Sequence, residues 1–194
     1  MPRRIYFISH PDVLVDPDVP VPRWPLSERG RERMRLLLTH PWVGEIATVH
    51  CSDEQKAIDG AAILAGHLGI PFEEHADLGE NDRSSTGYLA RDEFQATADQ
   101  FFAKPNTSVR GWERAVDAQR RIVEAVSRLV AVAPGTGPIA IVSHGGVGTL
   151  LLCHVLGEPI SRRREQPGST GGNYFVFELP PPRLVHDWAP IEVT

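Results

Sequence analysis

The chain has 194 residues, 41% of them hydrophobic and 23% charged, which is enough length for one compact domain with a full core. A net charge of −5 at pH 7 excludes a generally basic nucleic-acid-binding face. No window holds the roughly 18 apolar residues of a membrane span, and two thiols about a hundred residues apart, Cys51 and Cys153, do not make a disulfide framework, so a cytoplasmic protein is expected.

In chain order, Arg4-Ile5-Tyr6-Phe7-Ile8 reads as a strand and Ser9-His10-Pro11 as its exit. Five prolines between Pro11 and Pro25 exclude a regular helix there and predict an extended wall, with Arg23 and Trp24 near its end. Ser27 is the expected N-cap of a helix with Met34, Leu37 and Leu38 at helical spacing, closing by Thr39-His40-Pro41. Ile46 to His50 is the second predicted strand, and Cys51-Ser52-Asp53 turns into a helix carrying Ala57, Ala61, Leu64 and Leu68, capped by Asp53 or Ser52. Gly69-Ile70-Pro71 ends that helix, and Phe72 to His75 forms a short third strand.

Residues 81–110 break the alternation; Tyr88 to Phe102 is the helical part of what reads as a lid or substrate-selecting insertion. Trp112 to Val132 is the longest predicted helix, with Trp112, Val116, Val123, Val126 and Val130 nearly on one face. Ile139 to Val142 is a buried strand, His144 stands at its exit, Gly145-Gly146 makes a tight turn, and Val147 to Leu156 is helical. Arg162-Arg163-Arg164 reads as a solvated loop more readily than as a phosphate contact. Two terminal strands, Asn173 to Leu179 and Leu184 to Trp188, flank Pro180-Pro181-Pro182. The order of elements predicts one domain over 1–194, a three-layer αβα sandwich with a mostly parallel sheet and helices on both faces.

Such a sheet gathers His10, Ser52, Lys56, Glu80 and His144 with Gly145 and Gly146 at the carboxyl ends of its strands, where ligands bind and where a new helix offers amides to an anion. Two histidines in matching contexts plus a carboxylate make a nucleophile, base and acid set. No HExxH or CxxC spacing occurs, and His40, His50, His67, His75, His154 and His186 are scattered, so neither a metal centre nor another cofactor is expected.

In ordered motifs over nearly its whole length the chain resembles the histidine phosphatase superfamily, the phosphoglycerate mutase-like proteins. Ser9-His10-Pro11 answers the family's Arg-His-Gly, Leu26-Ser27-Glu28-Arg29-Gly30 its Leu-Thr/Ser-x-x-Gly, and Ser52 to Ala61 its Ser-Pro-Leu-x-Arg-Ala-x-x-Thr-Ala. Leu78-Gly79-Glu80 fits its Leu-x-Glu, and Ser143 to Val147 matches its Ser-His-Gly-Gly-Val.

The resemblance implies that His10 attacks phosphorus, Glu80 protonates the departing alcohol, His144 stabilises the transferring phosphoryl group, and Ser9, Ser52, Lys56 and Gly145 surround it. Ser9 and Lys56 stand where the family has arginines, so two forked guanidiniums become one hydroxyl and one ammonium, and Pro11 removes a backbone donor. Three readings follow. In the first, a working phosphatase draws its missing charge from Arg23, Arg83 or one of Arg162 to Arg164; in the second, a binding module holds a phosphorylated ligand without turnover; in the third, a metal on His10, His144 and Glu80 supports hydrolysis. The first leads, and because the family's mutases usually carry a longer insertion after the second strand motif, hydrolysis is favoured over mutase chemistry. The expected partner is a small-molecule phosphomonoester, with a homodimer left open and nucleic acid and membrane excluded.

Overall fold

Alternating apolar strands and amphipathic helices set the layers in a computed structural model of the chain, which describes residues 2–192. Strands β1 (Arg3–Ser9), β2 (Thr48–Ser52), β3 (Phe72–His75), β4 (Ile139–Ser143), β5 (Asn173–Leu179) and β6 (Arg183–Pro190) form one sheet in the order β3-β2-β4-β1-β5-β6. The pairs β3-β2, β2-β4 and β4-β1 are parallel, whereas β1-β5 and β5-β6 are antiparallel. The central strands β1 and β4 are buried on both faces, which is why they read as near-continuous apolar runs.

Helices α1 (Glu28–Leu37) and α2 (Gln55–Leu68) cover one face, and α3 (Arg91–Ala103), α4 (Ala115–Val132) and α5 (Gly145–Leu156) cover the other. Each face has its own core: Ile8, Met34, Leu37, Val49, Leu64 and Val142 meet on the first, and Phe7, Trp112, Ile122, Ile141, Leu150 and Phe175 on the second. The sandwich with a mostly parallel sheet is therefore the architecture observed.

Several boundaries differ from the sequence reading. The second strand runs two residues later than expected, Thr48–Ser52, and α2 is capped by Glu54 rather than by Asp53 or Ser52. The reason is local: Ser52 Oγ accepts from Glu54 N at 3.2 Å, so the hydroxyl holds the turn one step before the helix begins. Along α4 the buried stripe is Ala115, Ala118, Ile122, Ala125, Val126 and Leu129, with Val116, Val123 and Val130 on its flank, because the small alanines let α4 pack closely on α5. The 11–25 wall turns once at Asp16–Val19, where Val19 N donates to Asp16 O at 3.1 Å, and again in a short 3-10 turn at Val21–Arg23, and is pinned by a bridge between Val13 and Leu26.

One glycine matters to the site. A Cβ at Gly30 would lie 2.1 Å from the Asp12 carbonyl oxygen, so only glycine in the first turn of α1 lets the chain leaving His10 pass this close. Ser27 reinforces that approach, its N donating to Asp12 O at 3.0 Å while its Oγ accepts from Gly30 N at 3.1 Å. The sequence motif around Ser27 and Gly30 thus fixes where the first strand delivers its histidine.

Candidate active site

The exits of β1 and β4 bring two imidazoles together. His10 N donates to Ser143 O at 3.0 Å, prolonging the β1-β4 pairing by one step, and Gly172 N donates to His10 O at 3.1 Å. The His10 ring lies 2.9 Å through Nδ1 from Pro11 O. A carbonyl only accepts, so Nδ1 carries the proton and Nε2 keeps its lone pair. Burial, helped by the nearby charge of Lys56, lowers the His10 pKa to about 4, and the ring is neutral at physiological pH.

His144 caps the start of α5, and its ring stands nearly perpendicular to that of His10 with centroids 5.2 Å apart. Its Nε2 is 2.8 Å from Ser52 Oγ and 3.4 Å from Glu54 Oε1, whereas its Nδ1 is buried with no partner. Burial brings this pKa down to about 3 against the opposing pull of Glu54. Ser52 Oγ, which accepts from Glu54 N, can donate its hydrogen to His144 Nε2, which leaves the ring proton on the unpaired Nδ1 as a donor that an incoming anionic oxygen would satisfy.

Glu80 closes the set from the third strand's exit. Its carboxylate accepts from Gly146 N at 3.0 Å, Val147 N at 2.9 Å and Asn81 N at 3.1 Å, so it sits on the amino-terminal amides of α5. A Cβ at Gly146 would come within 2.6 Å of Glu80 Oε1, which accounts for glycine at that position. Arg83 Nη2 is 3.8 Å from Glu80, and its guanidinium lies over the rings of Phe94 and Trp112 at 5.1 and 5.6 Å, an arrangement that preorganises the fork.

A cleft of about 580 Å³ opens onto this edge, lined among others by His10, Glu80, Arg83, Phe94, Gly145 and Gln166. His144 and Ser52 are sealed behind it, 1% and 0% exposed. Of the residues expected around a phosphoryl group, Gly145 lines the cleft, whereas Ser9, Arg23 and Lys56, like the sealed Ser52, do not. Ser9 is fully buried, its hydroxyl against Gln166 Oε1 and accepting from Asn173 N at 3.0 Å. Arg23 is exposed on the Val21–Arg23 turn, outside the cleft lining.

Lys56 is the third, and its ammonium is consumed internally. It donates to Val21 O at 2.9 Å and pairs with Glu54 Oε2. Glu54 Oε1 in turn accepts from Glu80 N at 3.0 Å. Burial alone raises the Glu54 pKa, but the cationic form of His144 and the Lys56 ammonium outweigh it and hold the carboxyl well below the usual range. Burial lowers the Lys56 pKa while Glu54 opposes the shift. Arg162 reaches the cleft but is tied to Asp99 at 2.6 Å and Glu165 at 2.7 Å, and Arg164 is bound to Glu158, so Arg83 is the arginine of the sequence reading best placed to meet an anion.

The two depressed histidines predict acid lability. An unfolded chain takes up protons near pH 6.5 that the folded site refuses until about 4 at His10 and about 3 at His144, so stability falls as pH drops through that window. Urea unfolding midpoints measured from pH 7 to 4 should decline, and His144→Gln should flatten the decline; an unchanged slope would place the proton uptake elsewhere.

The wider similarity is decided by a sequence profile. The profile of the histidine phosphatase superfamily, branch 1, matches residues 19–178. The chain belongs to that superfamily. The matched span begins after His10, so the case for the first motif rests on the geometry above.

Among solved structures, a mycobacterial glucosyl-3-phosphoglycerate phosphatase in complex with inorganic phosphate superposes with a TM-score of 0.79 at 21% identity, covering 99% of this chain and 100% of that one. The Bacillus stearothermophilus protein YhfR gives 0.78 at 25% identity, covering 99% and 98%. A putative alpha-ribazole-5'-P phosphatase from Escherichia coli gives 0.72 at 19% identity over 99% and 98%. At these identities the first and third show a shared fold. A comparison with curated protein sequences gave no match.

For a histidine phosphatase the unexpected members of this site are Glu54 and Gln166. Glu54 falls where the family motif Ser-Pro-Leu-x-Arg has leucine, and an acidic residue two positions before a basic one was the available signal that Lys56 is neutralised from within. Gln166 carried no such signal; a Cβ on Gly145 would meet its Nε2 at 1.9 Å, so a loop distant in sequence covers the glycine turn. His10, His144 and Glu80 do not converge as a ligand set: among the described residues the one group of three that does is His50, Glu73 and His75.

Proposed function

We propose that this histidine phosphatase hydrolyses small-molecule phosphomonoesters through a phosphohistidine on His10. The observation that carries the reading is the tautomer lock on His10: Pro11 O holds the Nδ1 proton, the ring is neutral, and Nε2 keeps an uncommitted electron pair in a side chain that lines the cleft. That pair forms a bond to phosphorus as the ester P–O bond breaks, and a protonated Glu80 gives its proton to the departing oxygen after exchanging one of its amide bonds. Water then attacks the phosphohistidine, Glu80 takes back a proton, the P–N bond breaks and phosphate leaves.

In this scheme the unpaired His144 Nδ1 stabilises the developing charge, and Arg83 supplies the guanidinium that Ser9 and Lys56 do not. Arg91, Phe94, Gln95 and Ala98 on or beside α3 line the cleft, which supports 81–110 as the substrate-selecting segment. Arg83→Ala should lower kcat/KM for p-nitrophenyl phosphate about a hundredfold, on the order of 2–3 kcal/mol of transition-state stabilisation. Arg83→Lys should recover part of the loss, a charge without the fork. Unchanged kcat/KM in Arg83→Ala would remove this arginine from the phosphoryl group.

A further inference from the structure

On the edge of the sheet, away from the cleft lining, β2 and β3 bring three ligand-type side chains to one point. His50 and Glu73 are cross-strand partners in the parallel pairing, and His75, two residues after Glu73, projects from the same face of β3. His50 Nδ1 lies 3.1 Å from His75 Nε2, and Glu73 Oε2 lies 3.6 Å from the first and 3.7 Å from the second. A point equidistant from these three atoms is about 2.0 Å from each, the length of a zinc–nitrogen or zinc–oxygen bond.

We propose that His50, Glu73 and His75 bind a divalent transition metal of the zinc type, as a clip between the edge strand and its neighbour. Two imidazoles and one carboxylate suit such a cation and leave a fourth position for water on the exposed side, where Glu73 is 70% exposed. The fold also has a use for the clip. β3 is four residues long, lies at the edge, and has the burial of a strand with almost no core face, so few apolar contacts hold it.

The clip adjoins the catalytic edge without belonging to it. His75 pairs in register with Ser52, whose hydroxyl touches His144, and the chain beyond His75 runs through Ala76–Leu78 to Glu80. The metal therefore braces the strand from which Glu80 hangs while phosphoryl chemistry stays on His10 and His144.

The test uses the full chain stripped with a chelator and titrated calorimetrically with Zn²⁺, with Co²⁺ as a spectroscopic probe of coordination. The expected result is one equivalent of Zn²⁺ bound at micromolar concentration or below, a rise in Tm on binding, and roughly hundredfold weaker binding in Glu73→Gln and in His75→Gln. These two positions are chosen because they are less buried than His50 and leave the core untouched. His10→Ala should bind Zn²⁺ as the wild type does. Binding that appears only at millimolar Zn²⁺, that survives both substitutions, or that is lost in His10→Ala would overturn the assignment.

Discussion

His10→Ala is expected to lower kcat/KM for p-nitrophenyl phosphate by about 10⁴-fold or more, since removal of a covalent nucleophile leaves only binding and electrostatic stabilisation. Folding should survive. The His10 backbone is fixed by Ser143 O and Gly172 N, neither of which depends on the side chain, and the ring is only partly buried. Circular dichroism and urea unfolding of the variant should therefore show one cooperative transition close to the wild-type midpoint, while activity falls to background. Activity retained in a folded His10→Ala would move the nucleophile away from β1.

The second large effect concerns the Glu54–Lys56 pair. Lys56→Arg alone should change kcat/KM little, because the new guanidinium still faces the Glu54 carboxylate rather than the cleft. Glu54→Leu alone leaves a buried ammonium without its counter-ion and should cost about 3–5 kcal/mol of stability.

Combining Glu54→Leu with Lys56→Arg sets up the family's Leu-x-Arg spacing and frees a forked donor for the phosphoryl oxygens. The double variant should be destabilised without anion, recover stability in inorganic phosphate, and gain on the order of a hundredfold in kcat/KM. If the double variant loses activity instead, the carboxylate serves catalysis through His144 Nε2, 3.4 Å away, rather than by silencing Lys56.

The fold was legible because its signals are periodic and local. Apolar runs at Ile5–Ile8 and Ile139–Val142, the glycine stop at Gly69 and the Ser27 cap each follow from one short stretch, and the structure uses them as read. The histidines were legible for the same reason, since strand exits in a parallel sheet share one edge.

Other features were not, because they depend on where a side chain turns rather than where its Cα sits. Lys56 stands on the expected helix turn yet faces Glu54; Arg23 is close in sequence to the wall of the cleft yet points to solvent; Ser9 is at the expected strand end yet is locked by Gln166 and Asn173 from the far end of the chain. His50 and His75, scattered in sequence, meet only because β3 pairs with β2. Long-range pairing and side-chain choice are set by packing and charge balance across elements, which no single window contains.

The central claim is that His10 carries the phosphoryl group. Wild-type protein mixed with p-nitrophenyl phosphate, quenched within the turnover time in alkali and digested, should yield a peptide containing residue 10 with one added phosphoryl group. The modification should be stable in base and lost in acid, as a phosphoramidate is, and absent from His10→Ala. Turnover with no phosphate on His10 would contradict the covalent route, and phosphomonoester binding with neither turnover nor modification would leave this site an anion-binding module in place of an enzyme.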